Sequence, residues 1–265
     1  MKLAFSNIAW SPHDSPEVFA LLRERGFTGI EVAPTKVWPG WAGADVQAAR
    51  SYRRRLADEG FAVPALQAVL FGKPDAQLFG DGQAAFVSHL EEVAALAEAL
   101  GAKAVVLGAP KQRRLGQQTT AEALERATPV FHRLGQVYAE HGTCLCIEPN
   151  PSRYGCDFII HAEEGADLVR RVNSSGFGLH LDAAGMFLEG DDLATVWPAV
   201  GGVVRHFHVS EPDLGDFREP RVPHATNLAF LESHGFGGWL SVEMREPAEP
   251  LAAVGPWAVL GPGWR

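Results

Sequence analysis

Cysteine is scarce in this chain: three among 265 residues, at positions 144, 146 and 156. So small and odd a number builds no disulfide framework. Cys144 and Cys146 lie two apart on one predicted strand, where they share a face and do not easily bridge. All three cysteines are therefore expected as small buried apolar residues. Long apolar runs are missing too, with nothing near the ~18 consecutive residues of a membrane span. The opening MKLAFSNIAW has no signal-peptide core. A reduced, cytoplasmic protein with no membrane partner is the expectation. Positive charge is the minority sign, 23 Lys and Arg against 32 Asp and Glu, for a net −9. Nucleic acid is an unfavourable partner for such a chain, because duplex binding relies on clustered cations. The densest cationic groups are Arg53 to Arg55, expected on a solvated helix face, and Lys111 to Arg114.

What is plentiful is apolar material, 46% of the residues, enough for a large core. It is arranged in alternation. Short β-rich runs fall at Lys2–Ile8, Thr28–Val32, Ala62–Leu70, Ala104–Leu107, Thr143–Ile147, Gly178–Asp182, Val203–Val209 and Trp239–Glu243. Helical spacing lies between them. It is clearest over Ala84–Leu100 and Ala121–His141, and weaker over Pro16–Arg25, Ala44–Glu59, Ala162–Val172, Asp192–Ala199 and Asn227–Ser233. Five helix-to-strand joints repeat one device, a glycine at 26, 60, 101, 142 or 235 followed by the residue that starts the strand. Glycine accepts the left-handed conformation that caps a helix. Eight strands with intervening helices imply a parallel sheet with right-handed crossovers. Closed, it is a single-domain (β/α)8 TIM barrel over residues 1–265. The open doubly wound alternative is weakened by the lack of a G-x-G-x-x-G turn after the first strand. The Pro- and Gly-rich segment 247–265 is expected to form an irregular last helix and a surface cover.

Four residues stand at the carboxyl ends of the last four predicted strands: Glu148, Asp182, His208 and Glu243. Successive members are 34, 26 and 35 residues apart, close to one βα unit each. Strand ends at that face of a barrel carry its active site, and adjacent strands are about 4.8 Å apart. Three carboxylates and an imidazole can therefore close on one divalent cation. An oxygen-rich set suits Mn2+ first, with Mg2+, Co2+ or Zn2+ as alternatives. Any one of the four alone would more simply be a helix cap or a loop anchor. His180 and His206 lie two residues before proposed ligands and share their face, as second-layer or substrate-contact side chains.

The chain resembles the xylose isomerase-like sugar phosphate isomerase/epimerase barrels. The likeness is carried by Gly29-Ile30-Glu31, Leu100-Gly101-Ala102, Ile147-Glu148-Pro149-Asn150, Leu181-Asp182, His206-Phe207-His208 and the segment Gly238 to Met244. It implies a TIM barrel whose cation is held by Glu148, Asp182, His208 and Glu243. The ketose epimerases of that family usually carry a His three residues after the metal-binding Asp, where this chain has Gly185. They also carry an Arg six residues after the ligand His, where it has Leu214. Arg218, Arg221 or His224 are candidate replacements.

The residue types fit a proton abstraction next to a carbonyl. A chelated substrate spreads the charge of an enediolate, and Glu148 and Glu243, from separate strands, can remove and return the proton. Substrate contacts are expected from Trp10, Glu31, Gln67, Lys111, Arg113, Asn150, His180 and His206. Trp10 and Phe71 are candidate walls, and Lys111 and Arg113 candidate partners for a phosphate or carboxylate. The expected function is a sugar, sugar-phosphate or polyol isomerase or epimerase acting on a small molecule, with homo-oligomerisation open. A lyase for an inosose or a dehydroshikimate-like acid is the alternative. Apurinic endonucleases share the barrel but use more His ligands, and a non-catalytic sugar binder would have no need of an intact ligand set.

Overall fold

The computed structural model describes residues 1–248. In chain order the elements are β1 (Lys2–Ser6), α1 (Ser15–Glu24), β2 (Gly29–Glu31), α2 (Pro34–Val37), α3 (Val46–Asp58), β3 (Ala65–Leu66), α4 (Gln83–Leu100), β4 (Ala104–Leu107), α5 (Thr120–Glu140), β5 (Leu145–Ile147), α6 (Ala162–Val172), β6 (Phe177–Asp182), α7 (Ala183–Glu189), α8 (Leu193–Val200), β7 (Val204–Ser210), α9 (His224–Ser233) and β8 (Trp239–Glu243). The strands form one parallel sheet in the order β2-β1-β8-β7-β6-β5-β4-β3. Its two ends meet through isolated bridges, Gly29 with Ala62 and Val32 with Leu66. The result is a nearly closed eight-stranded TIM barrel.

The helices form where their apolar spacing predicts. In α4 the stripe Phe86, Leu90, Val93, Ala94, Ala97 and Leu100 is buried. Burying one such Leu or Phe side chain stabilises the fold by about 1.5–3 kcal/mol. Helix α5 starts at a capping box, Thr119 with Glu122, which satisfies backbone N–H groups left unpaired in the first turn. All five joint glycines have positive φ, from 63° to 86°. The three cysteines are free and buried.

Some boundaries differ from the sequence reading. Strand β3 has two residues where nine were expected. Pro64 has no N–H to give the ladder, and Ala68 turns to φ 53°, so pairing stops on either side. Strand β1 ends at Ser6, whose hydroxyl caps a 3-10 turn over Asn7–Ala9. The short helix α7 was not expected, and Asp182 caps it. The expected cover over 247–265 lies, from residue 249 on, outside the described residues. Among the described residues no helix is long and apolar enough to cross a membrane.

The barrel interior departs from the usual layers of branched apolar side chains. Ser6, Glu31, Gln67, His180, His206, His208 and Ser241 are all buried. Glu31 on β2 reaches His206 and His208 on β7. Strands β1 and β8 separate those two in the sheet, so the contacts run across the interior. This polar network lies directly beneath the carboxyl ends of the strands.

Candidate active site

Each of the four strand-end residues is positioned by its own element. Glu148 follows β5, its N–H bonded to Leu107 O at 3.1 Å. Asp182 ends β6, and its Oδ1 accepts the N–H of Gly185 at 2.6 Å. Its Oδ2 accepts the hydroxyl of Ser210. His208 sits in register with Asp182, and Glu243 with Ser210. One potential donor atom from each of Glu148, Asp182 and His208 falls within a mutual 4.8 Å. Glu243 Oε2 is 3.3 Å from His208 Nδ1, and Asp182 Oδ2 is 3.9 Å from it.

Glu31 sets the orientation of His208. Its Oε1 accepts from His208 Nε2 at 2.9 Å and its Oε2 from His206 Nε2 at 3.0 Å. His208 Nδ1 is buried and has no hydrogen-bond partner. A carboxylate on one ring nitrogen, with the other facing a cluster of acids, is the arrangement that metal-binding histidines adopt. Burial works to raise the Glu31 pKa, but the two imidazoles hold it well below the ordinary carboxyl value. Burial opposes charging of His208, yet Glu31 and Glu243 carry it well above the usual imidazole range. Burial, then the charges of Asp182 and Glu243, push the Glu148 carboxyl up to about 8 against the pull of His208 and Arg113. Burial and Glu243 push Asp182 up to about 6. Two carboxyl groups whose pKa values burial and their acidic neighbours raise, beside a buried imidazole nitrogen that makes no hydrogen bond, fit a divalent cation as the missing counter-charge.

The four residues line a cavity of about 670 Å³. Gly108 lines it as well, and a Cβ there would stand 2.3 Å from Glu148 Oε2. Glycine at the end of β4 therefore gives the carboxylate its room. Of the other sequence candidates, Gln67, Phe71 and Asn150 line the cavity. Gln67 also donates to Ser6 Oγ.

The remaining candidates lie elsewhere. Trp10 lines a second cavity, with Phe19, Tyr52 and Leu56, and donates to Ser15 Oγ at 3.2 Å. The early end of β1 carries it away, between α1 and α3. Glu31, His180 and His206 are buried under the cavity floor and do not line it. His180 packs edge-to-face on the His208 ring at 4.1 Å. Lys111 is exposed, and Gln112 takes its place on the cavity wall.

Arg113 is 1% exposed and spends its donors on the protein. It reaches Gly108 O at 3.0 Å, Glu148 O at 2.7 Å, Ile159 O at 3.2 Å, Asn150 Oδ1 at 2.9 Å and also Phe158 O. It ties the β4 and β5 loops together instead of binding an anion. Arg218 pairs with Asp216, Arg221 lies over the Phe187 ring and His224 pairs with Glu211, and none of the three lines the cavity.

Sequence reasoning passed over Ser210 and Gly108. Ser210 could have been found by continuing the alternation of His206 and His208 by two residues. Gly108 had no such signal, because its role depends on a side chain of the neighbouring strand.

A family model described as xylose isomerase-like TIM barrel matches residues 19–257. A comparison with curated proteins gave no match. Among solved structures, the chain is similar to the 3-keto-D-glucoside 4-epimerase YcjR of E. coli, with TM-score 0.79, 18% identity and 98% of each chain covered. It is also similar to an AP endonuclease, family 2, of Brucella melitensis, with TM-score 0.78, 21% identity and 97% and 98% covered. A third similar structure is the probable 3-DHS dehydratase AsbF of Bacillus anthracis, with TM-score 0.71, 15% identity and 98% and 97% covered. Three differently named enzymes share this fold, so any choice among their chemistries rests on this chain's own side chains.

Proposed function

Because this chain belongs to the xylose isomerase-like TIM barrel family, we propose that it is a divalent-cation-dependent isomerase or epimerase of a sugar or polyol ketone. The observation that carries this reading is the convergence of carboxylates from the ends of β5, β6 and β8 on the buried Nδ1 of His208, which makes no hydrogen bond, inside a cavity. Glu148, Asp182, His208 and Glu243 would hold one cation, with Mn2+ favoured by the donor set. When bound, it supplies Lewis-acid stabilisation of the negative charge created by proton loss beside a carbonyl.

The protein's own groups do the rest. Glu148 and Glu243 come from strands separated by β6 and β7, so a substrate can lie between them. One carboxylate takes the proton from the carbon next to the carbonyl, and the other delivers a proton to the opposite face of that carbon. The product is an epimer; delivery to the neighbouring carbon gives an isomer. Asn150 Oδ1 accepts from Arg113 Nη2, which leaves its amide N–H groups for a substrate hydroxyl. Glu31 and His180 keep the His208 ring in place.

Loss of a hydroxyl after the same proton abstraction would make the protein a dehydratase, a reading favoured by its likeness to AsbF. Turnover of a ketose panel by the Mn2+-loaded protein in D2O separates the two: epimerisation brings solvent deuterium into the sugar, and dehydration removes the mass of one water. Glu148→Gln and Glu243→Gln are each expected to lower turnover about 10²–10⁴-fold while circular dichroism stays unchanged. Wild-type rates in either variant would remove that carboxylate from the mechanism.

A further inference from the structure

Beneath the floor, the barrel interior holds a side chain with unmet bonds. His180 is 0% exposed, and neither of its ring nitrogens has a hydrogen-bond partner. A buried imidazole in that state calls for an ion or a water beside it. Its neighbours are donors of the same kind. The His180 and His206 ring centroids are 5.4 Å apart, and one nitrogen from each of His180, His206 and His208 falls within a mutual 4.8 Å. Around a tetrahedral Zn2+, with Zn–N at ~2.0–2.1 Å, such nitrogens stand about 3.3 Å apart. Small side-chain rotations supply that closure.

An irregularity in the sheet brings these rings together. Leu179 pairs with Val204 but His180 pairs with His206, so β7 carries one extra residue, Arg205. A bulge of this kind re-aims the side chains that follow it. It sets His180 beside His206 and, one row higher, Asp182 beside His208. Glu31 reaches the same place from β2, its Oε2 accepting from His206 Nε2 at 3.0 Å. Its Oε1 is engaged separately, by His208 Nε2. His208 is thereby turned with Nδ1 toward the acids of the floor. His180, His206 and one oxygen of Glu31 remain as a second donor set, deeper than the first and closed to solvent.

We infer that His180, His206 and Glu31 hold a second divalent cation inside the barrel, and that this cation is Zn2+. Two imidazoles and one carboxylate suit zinc, in contrast to the oxygen-rich floor above them. A water would serve the His180 nitrogens only, whereas a cation also meets the buried charge of Glu31. The proton that His206 now gives to Glu31 leaves as the ion binds. The ion joins β2 to β6 and β7 across the interior, where β2 is otherwise tied to β3 by isolated bridges alone. It also fixes Glu31, and through it the ring of His208. Nothing in this donor set depends on which reaction the floor performs.

Because the site is closed, the ion is loaded by refolding the full chain in Zn2+, followed by desalting and elemental analysis. Wild type is expected to keep about two zinc ions per chain, the floor taking one of them, and His180→Phe about one. Circular dichroism checks that the variant folds. Anomalous scattering at the zinc edge places each ion in crystals of the wild type, and decides the matter by itself if the variant does not fold. A zinc peak between His180 and His206 is the expected result. A peak on the floor alone, a water beside His180, or a zinc content that His180→Phe leaves unchanged overturns the inference. A peak between His180 and His206 with none among Glu148, Asp182 and Glu243 upholds it and sinks the floor as a cation site.

Discussion

Glu31 shows how much one buried side chain can decide. It is fully buried, and its two oxygens fix two imidazoles. Replacement by Gln keeps the shape but removes the charge that raises His208. Glu31→Gln is expected to weaken Mn2+ binding about 10–100-fold, measured by titration with the ion. Unchanged affinity would show that His208 needs no such partner. The same residues set a pH dependence. Folded Glu148 holds its proton up to about 8 and Asp182 up to about 6, whereas the unfolded chain releases both in the ordinary carboxyl range. The folded state therefore binds more protons between those limits, and stability falls as pH rises through them. His208, also raised, loses its contribution in the same direction. Glu31, depressed, contributes fully throughout that window. Chelator-treated protein should melt progressively lower from pH ~6 to ~8.5, and added Mn2+ should flatten the slope. A flat profile without the ion would refute this account.

Elements, and the loops between them, place the acids. The loops after β4 and β5 are joined through Arg113, which serves acceptors from both. Arg113→Met would leave buried carbonyls without donors, at a cost of about 2–4 kcal/mol, read as a lower denaturant midpoint. Activity should fall as well, because Asn150 and Glu148 lose the same anchor. Gly108→Ala acts more locally. Its Cβ would meet Glu148 Oε2 at 2.3 Å, so turnover is expected to drop about tenfold or more with little change in melting. A variant with normal turnover would mean that the carboxylate works equally well from a displaced position.

At the scale of the whole molecule, the barrel is closed unevenly. Seven neighbouring strand pairs are joined by ladders, while β2 and β3 meet through two isolated bridges. Residues next to this seam, Gln67 to Phe71, line the cavity. Backbone amides of β2 and β3 should exchange with deuterium faster than those of β6 and β7, measured peptide by peptide. Equal protection around the ring would show that side-chain packing holds the seam closed without a ladder.

Periodicity and punctuation determined the barrel, because alternating apolar runs and capping glycines act over a few residues and leave their mark there. They also located Glu148, Asp182, His208 and Glu243, since a strand end is a local feature and four in a row follow the topology. Tertiary structure alone decided what faces the cavity. His180 and His206 share strands with the site, and Glu31 ends β2, yet all three are buried beneath the cavity, where Glu31 finds its partners 175 and 177 residues away. Arg113 looked like an anion ligand until the fold gave each donor a carbonyl or an amide oxygen. Trp10 went to a different cavity because β1 ends early. Distance along the chain carries no record of which side chains meet, and burial and hydrogen bonding across the barrel assign them their roles.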